Sequence, residues 1–171
     1  MSLFRELKAD EIDVRIQSVN EKGVQLLLYK NARVDMSILD ETFGPFGWCR
    51  EHYECKGNLY CKVGVKSPDG EWVWKADCGA ESFSDKEKGE ASDSFKRACV
   101  NWGIGRELYT GPRIYIFRSS NDEENFKFNN GKCYDKFSVQ KIKIVDGRIT
   151  GIAIRNDSLN KRVFVWSESN G

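Results

Sequence analysis

In the segment from residue 59 to residue 78, LYCKVGVKSPDGEWVWKADC, two alternating runs flank a tight-turn sequence. In the first run every second residue is apolar, from Leu59 to Val65, and residues such as Lys62 and Lys66 lie between them. A period of two is typical of a β-strand, because successive side chains point to opposite faces of a sheet. The intervening Ser67-Pro68-Asp69-Gly70 is typical of a β-turn with proline at its second position. The sequence therefore predicts an antiparallel hairpin with one basic face. A preceding strand over Trp48–Lys56 would extend it to a three-stranded meander.

The residues after this meander are typical of a capped amphipathic helix. Ser84 and Glu87 have the spacing of a capping box, which predicts a helix that begins near Asp85. Gly103 and Gly105 predict its end. Apolar residues recur at the intervals of one helical face, namely Ala91, Phe95, Ala98 and Trp102, and polar residues fall elsewhere, namely Lys88, Ser92 and Lys96. Strands followed by a covering helix predict an α+β fold with a β-β-β-α core, an antiparallel sheet covered by a helix.

The N-terminal part of the chain supplies further elements. Residues Ser2–Ala9 predict a short helix, and Ile12–Ile16 and Val24–Tyr29 predict two strands. Asn31 is the expected cap of another helix, which would end at the glycine-proline cluster Phe43–Trp48. The side chains expected to point inward from this helix are Val34, Ile38 and Leu39.

The C-terminal part predicts more β-structure. Arg113–Phe117 is an expected strand, and residues 119–136 are polar without periodicity, which predicts a long surface loop. Asp146-Gly147 between two apolar runs is typical of a two-residue hairpin turn, and Val163–Trp166 supplies a third strand. We therefore expect a core over residues 1–118, a loop over 119–136 and a small C-terminal β meander over 137–171.

Composition limits the classes of function. The chain has 27 Lys+Arg and 26 Asp+Glu residues, a formal net charge of +1, so a DNA site must come from local clustering. The absence of a basic leader followed by an apolar core, and of any run of about eighteen apolar residues, predicts a soluble, cytoplasmic protein without a membrane partner. The six cysteines form no C-x-x-C pair, so we expect free, mostly buried thiols.

Two ligand sites suggested by short motifs are not expected to form. Cys49, His52, Cys55 and Cys61 lie close in sequence, as zinc ligands often do. However, in a strand over this region Cys49 and Cys55 point to one face and His52 to the other, so we expect no metal site. Gly103-Ile104-Gly105 is similar to part of a dinucleotide-binding loop, but it closes a helix where such a loop opens one. No cofactor is expected.

A metal-dependent nuclease is the alternative function. Pro68-Asp69 with Glu71 and Lys75 is similar to the carboxylate and lysine set of such enzymes. The turn by itself explains Asp69, and two-metal chemistry needs several convergent carboxylates. His52, the single histidine, has no serine or cysteine visibly placed beside it. We therefore expect no catalytic residues and no enzyme.

Clustered basic residues are the candidates for DNA binding: Arg33, Lys96 and Arg97 on the helices, and Lys56, Lys62, Lys66 and Lys75 along the sheet. Tyr60, Trp72 and Trp74 are interleaved with these lysines, and basic and aromatic side chains together are typical of sites for single strands. The spacing of the two tryptophans with Cys78 nevertheless favours a core position over base stacking. Solvation of a surface helix is the competing explanation for Lys96 and Arg97.

Three blocks, in this order, resemble the single-strand annealing proteins of the Rad52 superfamily, which include phage annealing proteins and the mitochondrial genome-maintenance annealing protein. The blocks are YKNARVDMSILDETFGPFGW, LYCKVGVKSPDGEWVWKADCGA and KGEASDSFKRACVNWGIGREL, within a resemblance that spans about Ile12–Phe117. The resemblance implies a β-β-β-α unit that forms oligomeric rings, with single-stranded DNA in a basic groove. By position, Arg33, Lys96 and Arg97 match groove residues.

The resemblance also implies a function: ATP-independent annealing of complementary strands in homologous recombination and DNA repair, by a protein that is not an enzyme. The small size of the chain favours a phage or prophage source. The expected partners are single-stranded DNA, further copies of the chain and a host single-strand binding protein, in a bacterial or phage-infected cell. Val100 and Asn58 replace an arginine and a lysine of eukaryotic members. An assembly module that uses the sheet and helix as a subunit interface is a third hypothesis.

Overall fold

The computed structural model of the protein describes residues 3–80, 86–118 and 124–168. It is a mixed α+β structure with antiparallel strands, as the sequence predicts. In chain order the elements are β1 (Asp13–Asn20), β2 (Gly23–Tyr29), α1 (Ala32–Phe43), β3 (Trp48–Cys55), β4 (Asn58–Lys66), β5 (Trp72–Cys78), α2 (Lys86–Trp102), β6 (Ile114–Phe117), β7 (Phe137–Val145), β8 (Arg148–Asn156) and β9 (Lys161–Ser167). The chain divides into two compact units, Met1–Arg5 with Lys30–Arg106 and Glu6–Tyr29 with Glu107–Gly171.

The first unit is built on a three-stranded antiparallel sheet in the order β3–β4–β5. The hairpin predicted from the alternating pattern is present, with Val63 opposite Lys75 across β4 and β5. In its turn the Gly70 N–H donates to the Ser67 carbonyl at 2.9 Å. Strand β3 pairs antiparallel with β4 along its whole length, so the predicted three-stranded meander is confirmed.

Helix α2 covers one face of this sheet. Phe95, Ala98 and Cys99 are buried, and the Trp102 indole N–H donates to the Val63 carbonyl at 2.8 Å. These contacts bury the apolar face that the periodicity predicts, because residues three and four apart lie on the same side of a helix.

Both ends of the α2 packing depend on glycine. At Gly79 a Cβ atom would lie 2.2 Å from the Glu90 carbonyl oxygen, so only glycine allows this approach of β5 to the helix. The predicted end of the helix is confirmed, since Gly103 has a φ of +116° and donates its N–H to the Cys99 carbonyl at 3.1 Å. The predicted cap at Ser84 and the start near Asp85 lie outside the described residues.

Helix α1 begins and ends as predicted. The Asn31 side-chain oxygen accepts from the backbone N–H groups of Arg33 and Val34 at 2.9 and 3.3 Å, the bonds of an N-cap. Gly44 ends the helix at a φ of +72°. The three residues expected to point inward are buried, namely Val34, Ile38 and Leu39.

The short helix predicted over Ser2–Ala9 is wrong for the residues that the structure describes. Residues 3–8 are not helical, and a short 3-10 turn follows at Ala9–Glu11. Tertiary contacts explain the difference: the Phe4 ring packs edge-on against Phe43 at 5.8 Å between centroids, and the Leu7 N–H donates to the buried Glu107 carboxylate at 2.7 Å. In a continuous α-helix the Leu7 N–H would donate to the carbonyl four residues earlier, so its bond to Glu107 competes with helix formation.

The second unit is built on a six-stranded antiparallel sheet in the order β6–β2–β1–β7–β8–β9, whose end strands β6 and β9 also approach each other. The predicted hairpin turn at Asp146-Gly147 is present, with φ angles of +50° and +72°. A small β meander is expected over residues 137–171, and in the structure its first strand β7 joins β1 through the pair Asp13–Ser138. The domain boundaries expected from the sequence remain a prediction.

All six cysteines are free thiols, as expected, but the expectation that most are buried is wrong. Cys61 and Cys99 are buried, Cys55 is exposed, and the other three are intermediate. The reason is the sheet geometry, since Cys49, Cys55 and Cys78 lie on the face of the three-stranded sheet away from α2. No helix in the described residues is both long and apolar enough to cross a membrane.

Candidate nucleic-acid interface

A shallow cleft of about 450 Å³ opens between the start of α1, the middle of β3 and the first half of α2, and we call it the α1–α2 cleft. Its lining includes Asn31, Arg33 and Met36 from the α1 end, Arg50 and His52 from β3, and Ser92 from α2. Arg33 is exposed, and it lies in the first turn of α1, where the helix dipole favours an anion.

Arg50, which was not among the residues predicted from the sequence, lines the same cleft. Its guanidinium lies 4.5 Å from the centroid of the buried Phe95 ring, a cation–π contact that holds the charge in place. Next to it on the same face, His52 Nε2 lies 3.1 Å from the Ala91 carbonyl oxygen, which suits an N–H donor at that nitrogen. The alternation of β3 could have indicated Arg50, because it predicts that Arg50 and His52 share a face.

Lys96 lies on the α1 side of α2, one turn beyond Ser92, which lines the cleft. Burial raises the pKa of Asp35 on α1, and the Lys96 charge opposes that rise. Arg97 lies on a different side of the helix, towards β5. It is exposed and forms a 3.8 Å ion pair with Asp77 of β5. The structure therefore associates Lys96, and not Arg97, with the side of the cleft that carries Arg33.

A buried ion pair lies beside Lys96. The Lys30 ammonium donates to Asp35 Oδ1 at 2.5 Å, and the two side chains are 5% and 0% exposed. Burial raises the pKa of Asp35 to about 6, against the opposing effects of the Lys30 and Lys96 charges. Burial, with the Asp35 charge, also raises the pKa of the Cys99 thiol on α2. The second Asp35 oxygen, Oδ2, is buried without a hydrogen-bond partner. Asp35 of α1 thus interacts electrostatically with Lys96 and Cys99 of α2, and its carboxyl is buried.

The four candidate lysines of the sheet do not lie together. Lys62 and Lys66 lie on the face away from α2. Lys75 lies on the face that α2 covers, where its Nζ donates to the Asn101 carbonyl at 3.0 Å and lies 4.6 Å from the Trp102 ring centroid. Lys56 is exposed in the turn between β3 and β4.

The face of the three-stranded sheet away from α2 is aromatic as well as basic. Lys62 Nζ lies 4.5 Å from the Trp74 ring centroid, and Lys66 Nζ lies 5.6 Å from that of Trp72. The expected core position is wrong for Trp72, which is 39% exposed, and Trp74 is half-buried. The reason is that α2 packs on the opposite face, against the side that carries Val63.

The cysteines and the histidine do not converge as metal ligands. His52 lies opposite Cys61 on the α2 side of the sheet, whereas Cys49 lies opposite Gly64 on the other side. Within residues 3–80, 86–118 and 124–168, no group of three or more His, Cys, Asp or Glu side chains is placed to hold a metal ion.

Comparison of the chain with families of known proteins identifies its family. A search of curated proteins found no match. The family described as Rad52/22 family double-strand break repair protein matches residues 1–126 of the 171-residue chain. The matched range includes α1, the three-stranded sheet and α2, and hence every residue of the α1–α2 cleft. The three sequence blocks and this match agree, and the chain belongs to the Rad52/22 family, within the Rad52 superfamily of annealing proteins.

Proposed function

We propose that this protein binds single-stranded DNA along the α1–α2 cleft and anneals complementary strands without ATP. Proteins of the Rad52 family are annealing proteins of DNA recombination and repair, and they generally bind DNA and oligomerise. The proposal rests mainly on the positions of three basic residues. Arg33 lies on α1, Arg50 on β3 and Lys96 on α2. Three elements thus contribute positive charge to one side of the unit, although the whole chain is nearly neutral.

The proposed mechanism is electrostatic. Arg33, Arg50 and Lys96 neutralise phosphates of one strand, and the counterions released make binding fall steeply with salt. The strand is held extended with its base edges outward, so a complementary strand pairs with it before hairpins form. Arg50 is held by its contact with the Phe95 ring, which lowers the entropy lost on binding.

The proposal includes an oligomeric ring, in which the clefts of successive copies form one groove. Sedimentation velocity of the free protein tests this part separately. A stable assembly that retains annealing activity agrees with the ring, whereas an active monomer contradicts it.

The decisive experiment compares two double variants of equal charge. Arg33→Ala/Lys96→Ala removes cations from the cleft, and Lys141→Ala/Lys143→Ala removes two exposed lysines from β7. Binding of a labelled 30-nucleotide dT strand is measured by fluorescence anisotropy, and annealing of two labelled complementary strands by energy transfer, both without nucleotide or metal. We expect the cleft variant to bind about tenfold more weakly and the β7 variant to stay within twofold. Wild-type affinity in the cleft variant would contradict the site.

The nuclease alternative has no support from the positions of its residues. Asp69 lies in the turn between β4 and β5, and Lys75 is engaged with Asn101 and Trp102 on the α2 side of the sheet. Incubation of labelled strands with Mg²⁺ tests it directly, because cleavage that depends on the metal would overturn a purely annealing function.

A further inference from the structure

The second unit carries an exposed sheet face that the proposed function does not use. On β6, Ile114 and Ile116 are buried, so Tyr115 and Phe117 point outward. In register, Tyr115 lies opposite Gln25 of β2 and Phe117 lies opposite Gly23. Strand β1 continues the face beyond β2. We call it the β1–β2–β6 face and define it by Arg15, Gln17, Gln25, Arg113, Tyr115 and Phe117.

The two aromatic side chains of this face are held in contact, and one of them is exposed. Phe117 is 71% exposed, an unusual position for a large apolar ring on a strand. The Tyr115 ring meets it edge to face at 4.9 Å between centroids. Tyr115 in turn lies over Gly23, where a Cβ atom would be 2.6 Å from the ring. The glycine thus makes room for Tyr115, and the pair forms a fixed aromatic surface.

A chain of polar contacts orients the cation beside these rings. Gln25 Nε2 donates to Gln17 Oε1 at 2.7 Å, and Gln25 Oε1 accepts from Arg113 Nη2 and Nε at 2.7 and 3.2 Å. The Arg113 guanidinium lies 5.7 Å from the Tyr115 centroid. A guanidinium has five N–H donors, so donors remain for a phosphate.

The charge of this region suits an anionic partner. Residues 13–29 and 113–118 contain four basic residues, Arg15, Lys22, Arg113 and Arg118, against two acidic ones, Asp13 and Glu21. Arg15 lies over the Tyr29 ring at 5.5 Å, and Arg118 lies over Phe128 at 4.8 Å, so cations and rings are paired repeatedly. An apolar protein partner would not require this pairing, whereas stacked bases and phosphates require both kinds of group.

We infer that the β1–β2–β6 face binds single-stranded DNA, with bases stacked on Phe117 and Tyr115 and phosphates bound by Arg113 and Arg15. The inference rests on the proposed function, since it concerns the same class of ligand, but its residues belong to another unit of the chain. Stacking on a ring needs an unpaired base, so the face favours single strands over duplex. It also accepts any base, because every base has a flat aromatic face.

The test uses the full chain and two single-stranded ligands. One is a 30-nucleotide dT strand, and the other is a base-free strand of the same length and charge. We expect Phe117→Ala to bind the dT strand about tenfold more weakly, and the base-free strand as the wild type does. Phe117→Tyr should retain wild-type binding, because it keeps the ring. The matched control is Tyr109→Ala, which removes another ring that is 74% exposed, and it should stay within twofold.

Arg113→Gln gives a second, independent measurement, since it should weaken the binding of both strands. Equal binding of dT by Phe117→Ala and the wild type would overturn the inference. A change of oligomeric state in sedimentation, with DNA affinity unchanged, would also overturn it and assign the face to a protein partner. Failure of the proposed function is distinguishable: the wild type would then bind neither strand, or the Arg33→Ala/Lys96→Ala variant would bind normally while Phe117→Ala does not.

Discussion

The Lys30 ammonium and the Asp35 carboxylate form a buried ion pair across the start of α1, 2.5 Å apart. Asn31, which caps the helix, lies between them in sequence. Both side chains are buried, and Lys96 and Cys99 of α2 act on the same carboxyl. The position of Lys96 is thus tied to a charge that the sequence analysis did not consider.

Removal of one partner should destabilise the fold strongly. In Asp35→Ala the Lys30 ammonium would stay buried without its counterion, so we expect the free energy of unfolding to fall by about 3–5 kcal/mol. Replacement of both partners by apolar residues, as in Lys30→Met/Asp35→Leu, should restore most of the loss. Urea unfolding followed by tryptophan fluorescence measures both. A single variant as stable as the wild type would contradict the importance of the pair.

The raised pKa of Asp35 should make stability depend on pH. Because burial raises the pKa of Asp35 from an ordinary value of 3.8 to about 6 in the folded state, the folded protein binds this proton more tightly than the unfolded chain does. The contribution of Asp35 to the free energy of unfolding should therefore fall as the pH rises from about 4 to about 6, and stay constant above. Between pH 4 and 7 this amounts to at most about 3 kcal/mol.

The measurement is the difference in unfolding free energy between the wild type and Asp35→Asn, taken at several pH values. As the pH rises, the unfolding free energy of the wild type should decrease relative to that of Asp35→Asn. Asp69→Asn, a change in the exposed turn of the hairpin, is the control and should show no such trend. A difference that is independent of pH between 4 and 7 would be inconsistent with the expected titration.

Lys96→Ala should weaken DNA binding more than Arg97→Ala. Lys96 lies on the α1 side of α2, whereas Arg97 forms an ion pair with Asp77. We expect a loss of about fivefold for Lys96→Ala, and a salt dependence whose slope decreases by about 0.7 for the lost phosphate contact. Arg97→Ala should change affinity by less than twofold. Anisotropy titrations at three salt concentrations test this, and the reverse order would mean that the strand lies over the Arg97 side.

Gly79→Ala should destabilise the protein through a steric clash. The added Cβ would lie 2.2 Å from the Glu90 carbonyl oxygen. Because this oxygen belongs to the helix backbone, relief of the clash would require the backbone to move. Such overpacking costs about 1–3 kcal/mol. Gly151→Ala is the control, because its nearest new contacts are at 3.6 and 3.7 Å and it lies in a strand. A melting temperature that falls in Gly151→Ala as much as in Gly79→Ala would refute the steric explanation.

Local patterns in the sequence predicted much of this fold. The hairpin of β4 and β5, the Asn31 cap and the Asp146-Gly147 turn each depend on residues a few positions apart, so the signal is complete in a short window. The family blocks also placed Arg33 and Lys96 on two helices.

Contacts between distant segments decided the rest. An alternating pattern shows that two faces of a strand differ, but not which face a later helix covers, and so Trp72 was expected in the core and is exposed. Arg50 enters the cleft only because α2 packs beside β3 with Phe95 under the guanidinium. The C-terminal strands join β1, and this pairing gives hydrogen-bond partners to backbone groups that an edge strand would leave unpaired. Such pairings are determined by the free energy of the whole folded unit. This free energy cannot be derived from a short segment of sequence.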